Sequence, residues 1–170
     1  MRYINLRLTY LLTYLLGAGS DVNAAGFEQK TALHYASARG LDPARLLAAG
    51  ADPRARDAAG NTPLHAAASG AHGPVVRALV ACSEPSAVND QGRTALHLSA
   101  VKGDVACLEA ILEASGPQCC TAVDGSGHLA VYYSALNGHY DAVVFFIGVN
   151  APLVNQTTGN PSCLLCSSVD

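Results

Sequence analysis

Apolar residues along this chain fall into two kinds of short helical run, which alternate. The first kind is built from small residues, as in Tyr35-Ala36-Ser37-Ala38 and Ala66-Ala67-Ala68. The second is richer in large aliphatics, as in Val75 to Val80, Val105 to Leu112 and Tyr140 to Ile147. Gly40, Gly103 and Gly138 stand between the two kinds, where a residue free to take positive φ ends a helix. A polar turn such as Asp57-Ala58-Ala59-Gly60-Asn61 precedes the small-residue helix. Thr62 then supplies a capping hydroxyl, and Pro63 takes the first helical position, where its missing N–H costs nothing. The pattern predicts pairs of short helices joined by tight turns. One such pair cannot bury its own apolar face, so the pairs must stack on one another.

The pattern is periodic. Leu15-Leu16-Gly17-Ala18-Gly19-Ser20-Asp21 returns as Leu46-Leu47-Ala48-Ala49-Gly50-Ala51-Asp52, an offset of 31. Independently, Thr31-Ala32-Leu33-His34 returns as Thr62-Pro63-Leu64-His65 and as Thr94-Ala95-Leu96-His97, with a decayed copy at Leu129-Ala130-Val131-Tyr132. The successive offsets of 31, 32 and 35 show two motifs marching together at a repeat interval.

These residues resemble the ankyrin repeat, whose Thr-Pro-Leu-His signature and Gly-Ala-Asp loop match nearly the whole chain. The match is sharp in the units holding Thr31, Thr62 and Thr94 and weaker where Leu129 and Tyr132 replace the Thr and His. The resemblance implies an all-α helical-repeat solenoid of L-shaped units, each with inner and outer antiparallel helices and a projecting β-hairpin-like loop. The array is expected over 1–156, as a partial repeat at 1–25 and repeats at 26–56, 57–88, 89–123 and 124–156. Residues 157–170 are expected to be the start of a truncated further repeat or a tail. The stretch from Gly40 to Gly50 is about two residues short, which predicts a truncated outer helix near Asp42-Pro43. The insertion around Ser115 to Cys120 predicts a longer loop. Neither end reads as a polar cap of the kind that shields a stack. That is expected of a fragment, of a truncated gene model, or of a chain whose ends another subunit covers.

Composition narrows the function. Half the residues are apolar and 14% are charged, which argues against disorder. A formal net charge of −3 gives no electrostatic footprint for nucleic acid. Arg2 and Arg7 followed by an apolar run to Gly17 imitate a signal peptide, but that apolar core is about nine residues, against the roughly 20 a membrane span needs. The repeat register claims the same stretch as a structural helix. The six cysteines are irregularly spaced and read as reduced thiols of an intracellular protein, in the cytoplasm or the nucleus.

Candidate chemistry is thin. His34, His65 and His97 occupy equivalent positions in stacked units, roughly 8–10 Å apart, whereas zinc holds nitrogen ligands at about 2.0–2.1 Å. Each imidazole is expected to tie its helix start to neighbouring backbone instead. Cys163-x-x-Cys166 with Cys119-Cys120 lacks the regular paired spacing of a zinc site. The Gly-x-Gly at 125–127 lacks a Walker lysine, and Asn155-Gln156-Thr157 is a short match to a glycosylation sequon. No catalytic residue, metal or cofactor is expected. By resemblance, Asn23 stands where ankyrin loops can present an asparagine for hydroxylation.

The resemblance also assigns partner binding to non-signature positions on the concave face made by inner helices and hairpin tips. Here these are Phe27, Lys30, Tyr35, Arg39, Asn61, Arg93, Leu98, Lys102, His128, Tyr133 and Asn137. Phe27, Tyr35 and Tyr133 offer large contact area, as interface aromatics do. Lys30, Arg39, Arg93 and Lys102 form a mild positive stripe. The expectation is a non-enzymatic scaffold or adaptor binding a protein or peptide of some acidic character, without nucleic acid or membrane insertion. The alternative is a recruiting segment of a larger regulatory or enzymatic protein.

Overall fold

The computed structural model describes residues 21–154, with side chains described through residue 149. The helix expected within 1–25, the repeat expected after 157, the Asn155 sequon and the Cys163–Cys166 pair lie outside the described residues.

Among the described residues eight α-helices follow one another: α1 Ala32–Ala38, α2 Ala44–Ala48, α3 Pro63–Ser69, α4 Gly73–Val80, α5 Ala95–Lys102, α6 Val105–Ser115, α7 Ala130–Leu136 and α8 Tyr140–Val154. The odd-numbered helices are the inner ones and stack in the order α1, α3, α5, α7. The outer helices α4, α6 and α8 stack alongside them. The truncation expected at Asp42-Pro43 appears as α2, which has five residues. Described residues contain no strand; the hairpins are turns closed by backbone pairs, with one isolated bridge between Val123 and Leu129.

Small residues let the inner helices approach. Ala67, Ala68, Ala95 and Ala100 are fully buried between neighbours. Leu33, Leu64 and Leu96, one from each signature, fill the space between layers, and burying each stabilises the stack by about 1.5–3 kcal/mol.

A repeated histidine device joins the layers. In each of the first three units the cap residue's backbone N–H donates to the imidazole Nδ1 three residues on: Thr31 to His34, Thr62 to His65 and Thr94 to His97, each at 3.2 Å. The far nitrogen of each ring lies against a carbonyl of the following hairpin. His34 Nε2 is 3.0 Å from Asn61 O, His65 Nε2 is 3.0 Å from Arg93 O, and His97 Nε2 is 3.2 Å from His128 O. A carbonyl can only accept, so Nε2 carries the proton and Nδ1 is the acceptor. One ring thus satisfies two backbone groups in different units. In the fourth unit Leu129 has no hydroxyl to cap with, and the ring of Tyr132 stacks on His128 at 4.1 Å.

A second pair of histidines was not visible in the motif. His72 and His139, at the starts of α4 and α8, reach back to Ala38 O (3.1 Å) and Val101 O (2.9 Å) of the preceding inner helices. Gly40 and Gly103 make room for them: a Cβ at either would lie within 3 Å of the imidazole, and both glycines have positive φ. Ala71 holds the equivalent position in the second unit at φ 57°, in a region that favours glycine.

The insertion expected as a loop is instead folded. Gly116 reverses the chain at φ 78°, Pro117 starts a 3-10 turn over Pro117–Thr121, and Cys120 is buried between that turn and the outer helices. Burying an apolar thiol outweighs leaving the extra residues in solvent.

Two outcomes test this account. Ala71→Gly relieves about 1–2 kcal/mol of left-handed strain against part of that lost to a freer unfolded chain, so urea unfolding should show a gain of roughly 0.5–1 kcal/mol. The pH dependence of stability has a defined sign. Burial, ahead of every other influence, lowers the pKa of His34, His65 and His97 below 6.5, partly countered by the carbonyl contacts. The unfolded chain therefore binds more protons below pH 6.5, so stability should be full above that value and fall as pH drops through it. Denaturation midpoints between pH 5 and 8 check this, and replacing His65 with Asn should flatten the slope.

Candidate binding face

Three of the four described hairpins are built on one side chain placed five residues before the helix cap. Asp57 Oδ1 accepts from the backbone N–H groups of Ala59 (2.9 Å) and Asn61 (2.8 Å). Asn89 does the same for Gln91 and Arg93, and Asp124 for Ser126 and His128. Such short acceptors favour this turn because they hydrogen-bond backbone two residues on. In the first unit Gly26 holds that place, and Glu28 and Gln29 turn the chain at positive φ instead. The hairpins are also tied tip to tip: Ala58 N–H donates to Glu28 O, Asp90 N–H to Ala59 O, and Gly125 N–H to Gln91 O, at 2.8–3.1 Å.

Between these tips and the inner helices lies a cleft of about 700 Å³. Lys30, Tyr35, Asn61, Ala66, Gln91 and Leu98 are among the residues lining it. Of the positions expected to bind a partner, the cleft brings together Lys30, Tyr35, Asn61 and Leu98. Phe27 is 79% exposed at the first tip, and the Tyr35 hydroxyl lies 3.4 Å from its carbonyl. Arg39 and Lys102 are exposed at the far ends of α1 and α5, and Asn137 is exposed at the end of α7. His128 is half-buried against Tyr132.

Tyr133 and Arg93 are placed differently from a free recognition surface. Tyr133 is only 8% exposed, and its hydroxyl donates to Asp124 Oδ2. Arg93 lies over the Tyr133 ring, 4.8 Å from its centroid, donates to the Tyr133 hydroxyl, and stands 3.5 Å from Asp124 Oδ2. Burial alone would raise the Asp124 pKa. Hydrogen bonds from Tyr133, His128 N–H, Ser126 N–H and Arg93 outweigh it and hold the carboxyl well below the usual carboxylate range. These three side chains lock the third unit to the fourth. The signal for it was the Asp itself, which stands at the same place in the repeat as Asp57 and Asn89.

Lys30 is paired too, with Nζ 2.6 Å from Glu28 Oε2, and the hydrogen bond to Glu28 raises its pKa. Two of the four cations in the sequence stripe are thus neutralised within the chain. Asn23 is engaged at both ends of its amide: Nδ2 donates to Gly50 O, and Oδ1 accepts from Asp52 N–H.

No group of three or more His, Cys, Asp or Glu among the described residues is placed to hold a metal. Burial, and then Asp104, pushes the Cys107 thiol up to about 12. The hydrogen bond to Cys120 and then burial raise that of Cys119. Neither is a thiolate near neutral pH. No helix among the described residues is long and apolar enough to cross a membrane.

The profile for ankyrin repeats, in a three-copy form, matches residues 5–87, 38–124 and 75–158. The chain belongs to the ankyrin-repeat family. Ankyrin repeats are in general protein–protein interaction modules. This array is also similar to the potassium channel KOR2 of Oryza sativa subsp. japonica, at 41% identity over 71 residues. That alignment takes in 41% of this chain and 10% of the channel, so the chain corresponds to a small part of that protein.

The Asp124 lock gives a direct test. Replacing Asp124 with Ala strands a buried Tyr hydroxyl, two hairpin N–H groups and the Arg93 charge, and should cost about 2–4 kcal/mol in chemical denaturation. Asp124→Asn, which keeps an acceptor, should cost less.

Proposed function

We propose that this ankyrin array is a non-enzymatic scaffold or adaptor that binds a partner protein along the face formed by its inner helices and hairpin tips. The observation that carries the proposal is the cleft of about 700 Å³, which lies on that face and is lined from three successive units. Its walls are held by backbone pairs, by Asp57 and Asn89, and by the histidine bridges, so little order remains to be imposed on binding. Tyr35 and Leu98 supply exposed or half-buried apolar surface within it. Acidic groups of the partner would meet Arg39 and Lys102, which have no ion pair among the described residues, at the edge remote from the hairpins. A second reading, a recruiting segment of a larger regulatory or enzymatic chain, is favoured by the likeness to one tenth of a potassium channel. Recovery of the full-length transcript distinguishes the two.

Affinity capture with the full chain, followed by titration of the captured partner, tests the face. A Tyr35→Ala, Leu98→Ala double variant should bind at least about tenfold more weakly, a loss of about 1.4 kcal/mol. Glu113→Ala, on an outer helix, should bind as the parent does. The opposite pattern refutes the assignment.

A further inference from the structure

The cleft has a shape and a charge that narrow the ligand of the binding face proposed above, on which this inference rests. The fourth residue after each helix cap projects from equivalent places on the stacked inner helices: Tyr35, Ala66, Leu98 and Tyr133. Neighbouring helices are spaced by roughly 8–10 Å, so Tyr35 and Leu98 stand about two spacings apart with Ala66 between them. Ala66 has nothing beyond Cβ, and Ala38, Ala59 and Ser69, which line the same space, are also small. The result is a notch between two large apolar side chains. Filling it with one bulky apolar group would remove Tyr35, Ala66 and Leu98 from water together.

Its charge runs against the sequence-level stripe. The ionised residues lining the cleft are Lys30, Asp57 and Asp90, a formal +1 against −2. Lys30 is already paired with Glu28, and Asp57 is buried and spent on its own hairpin. Asp90 is exposed at the third hairpin tip, and no cation lies within ion-pair distance of it among the described residues. Gln91 beside it is exposed, with an amide suited to a peptide bond.

We propose that the cleft takes an extended segment of a partner protein that seats one bulky apolar side chain over Ala66 and sets a neighbouring Lys or Arg against Asp90. The apolar group supplies the anchor, and the cation sets the direction in which the segment lies. Acidic groups further along the same segment would then fall toward Arg39 and Lys102.

The probe is a phage-displayed library of random twelve-residue peptides selected against the full chain, with Kd values measured by fluorescence polarisation on synthetic copies. Selection should enrich a large apolar residue within two positions of Lys or Arg. Ala66→Trp, which fills the notch, and Asp90→Lys should each weaken those peptides by at least about tenfold. Ala66→Leu is a milder filling that serves if the Trp variant unfolds; circular dichroism melts report folding. Enriched peptides that lack a Lys or Arg near the large apolar residue, or that bind the Ala66 and Asp90 variants as tightly as the parent, overturn this inference. If those same peptides still lose affinity on Tyr35→Ala, the binding face stands and only its ligand was misjudged. If Tyr35→Ala and Leu98→Ala leave them unaffected as well, the face proposed above falls too. A library that yields no peptide tighter than about 100 µM also counts against the notch.

Discussion

Everything in this array depends on a junction between layers that would otherwise leave polar backbone buried. Where one inner helix starts, its first N–H groups have no intrahelical partner, and the hairpin of the next unit brings a carbonyl against them. An apolar side chain there would leave both groups unpaired, each at a cost of about 1–3 kcal/mol. His34, His65 and His97 resolve this with one ring each, accepting on Nδ1 and donating from Nε2. The ring must be neutral and of one tautomer, which is why its burial and its lowered pKa belong to the same design. Close packing of alanines, leucine burial and hairpin spacing all presuppose that these junctions hold.

Much of this was legible in the residues. The Thr-x-Leu-His recurrence locates the inner helices, and the glycines at 40, 103 and 138 mark where they end because a local backbone requirement writes itself into one residue type. The short outer helix followed from a missing stretch near Asp42. Long-range pairings were not legible. His72 and His139 lie outside the signature, and the carbonyls they bind are more than 30 positions away. The Pro117–Thr121 turn was not legible either, because insertion length says nothing about whether Cys120 finds a buried seat.

The binding face illustrates a sharper limit. From sequence, Lys30, Arg93, Arg39 and Lys102 are four equal cations, and Tyr133 is an aromatic like Tyr35. Folding separates them. Glu28 and Asp124 neutralise two of the cations, and Asp124 draws Tyr133 inward by its hydroxyl. A charge counted along the chain is a poor guide to a surface when its counter-ion lies about 30 residues away in the next unit, as Asp124 does from Arg93. The positions that keep their side chains open, Tyr35, Ala66, Leu98, Asp90 and Gln91, are those the repeat signature leaves unspecified.

The tip-to-tip bonds have an evolutionary corollary. Ala58 to Glu28, Asp90 to Ala59 and Gly125 to Gln91 join through main-chain atoms alone. Such a tether draws on no side chain, so substitutions other than proline at Ala58, Ala59, Asp90 and Gln91 can explore new ligands without loosening the frame that presents them. Gly125, by contrast, is fixed, because a Cβ there would lie 2.9 Å from Gln91 O. Innovation in recognition is thereby uncoupled from foldability, and a lineage could retune this edge one codon at a time.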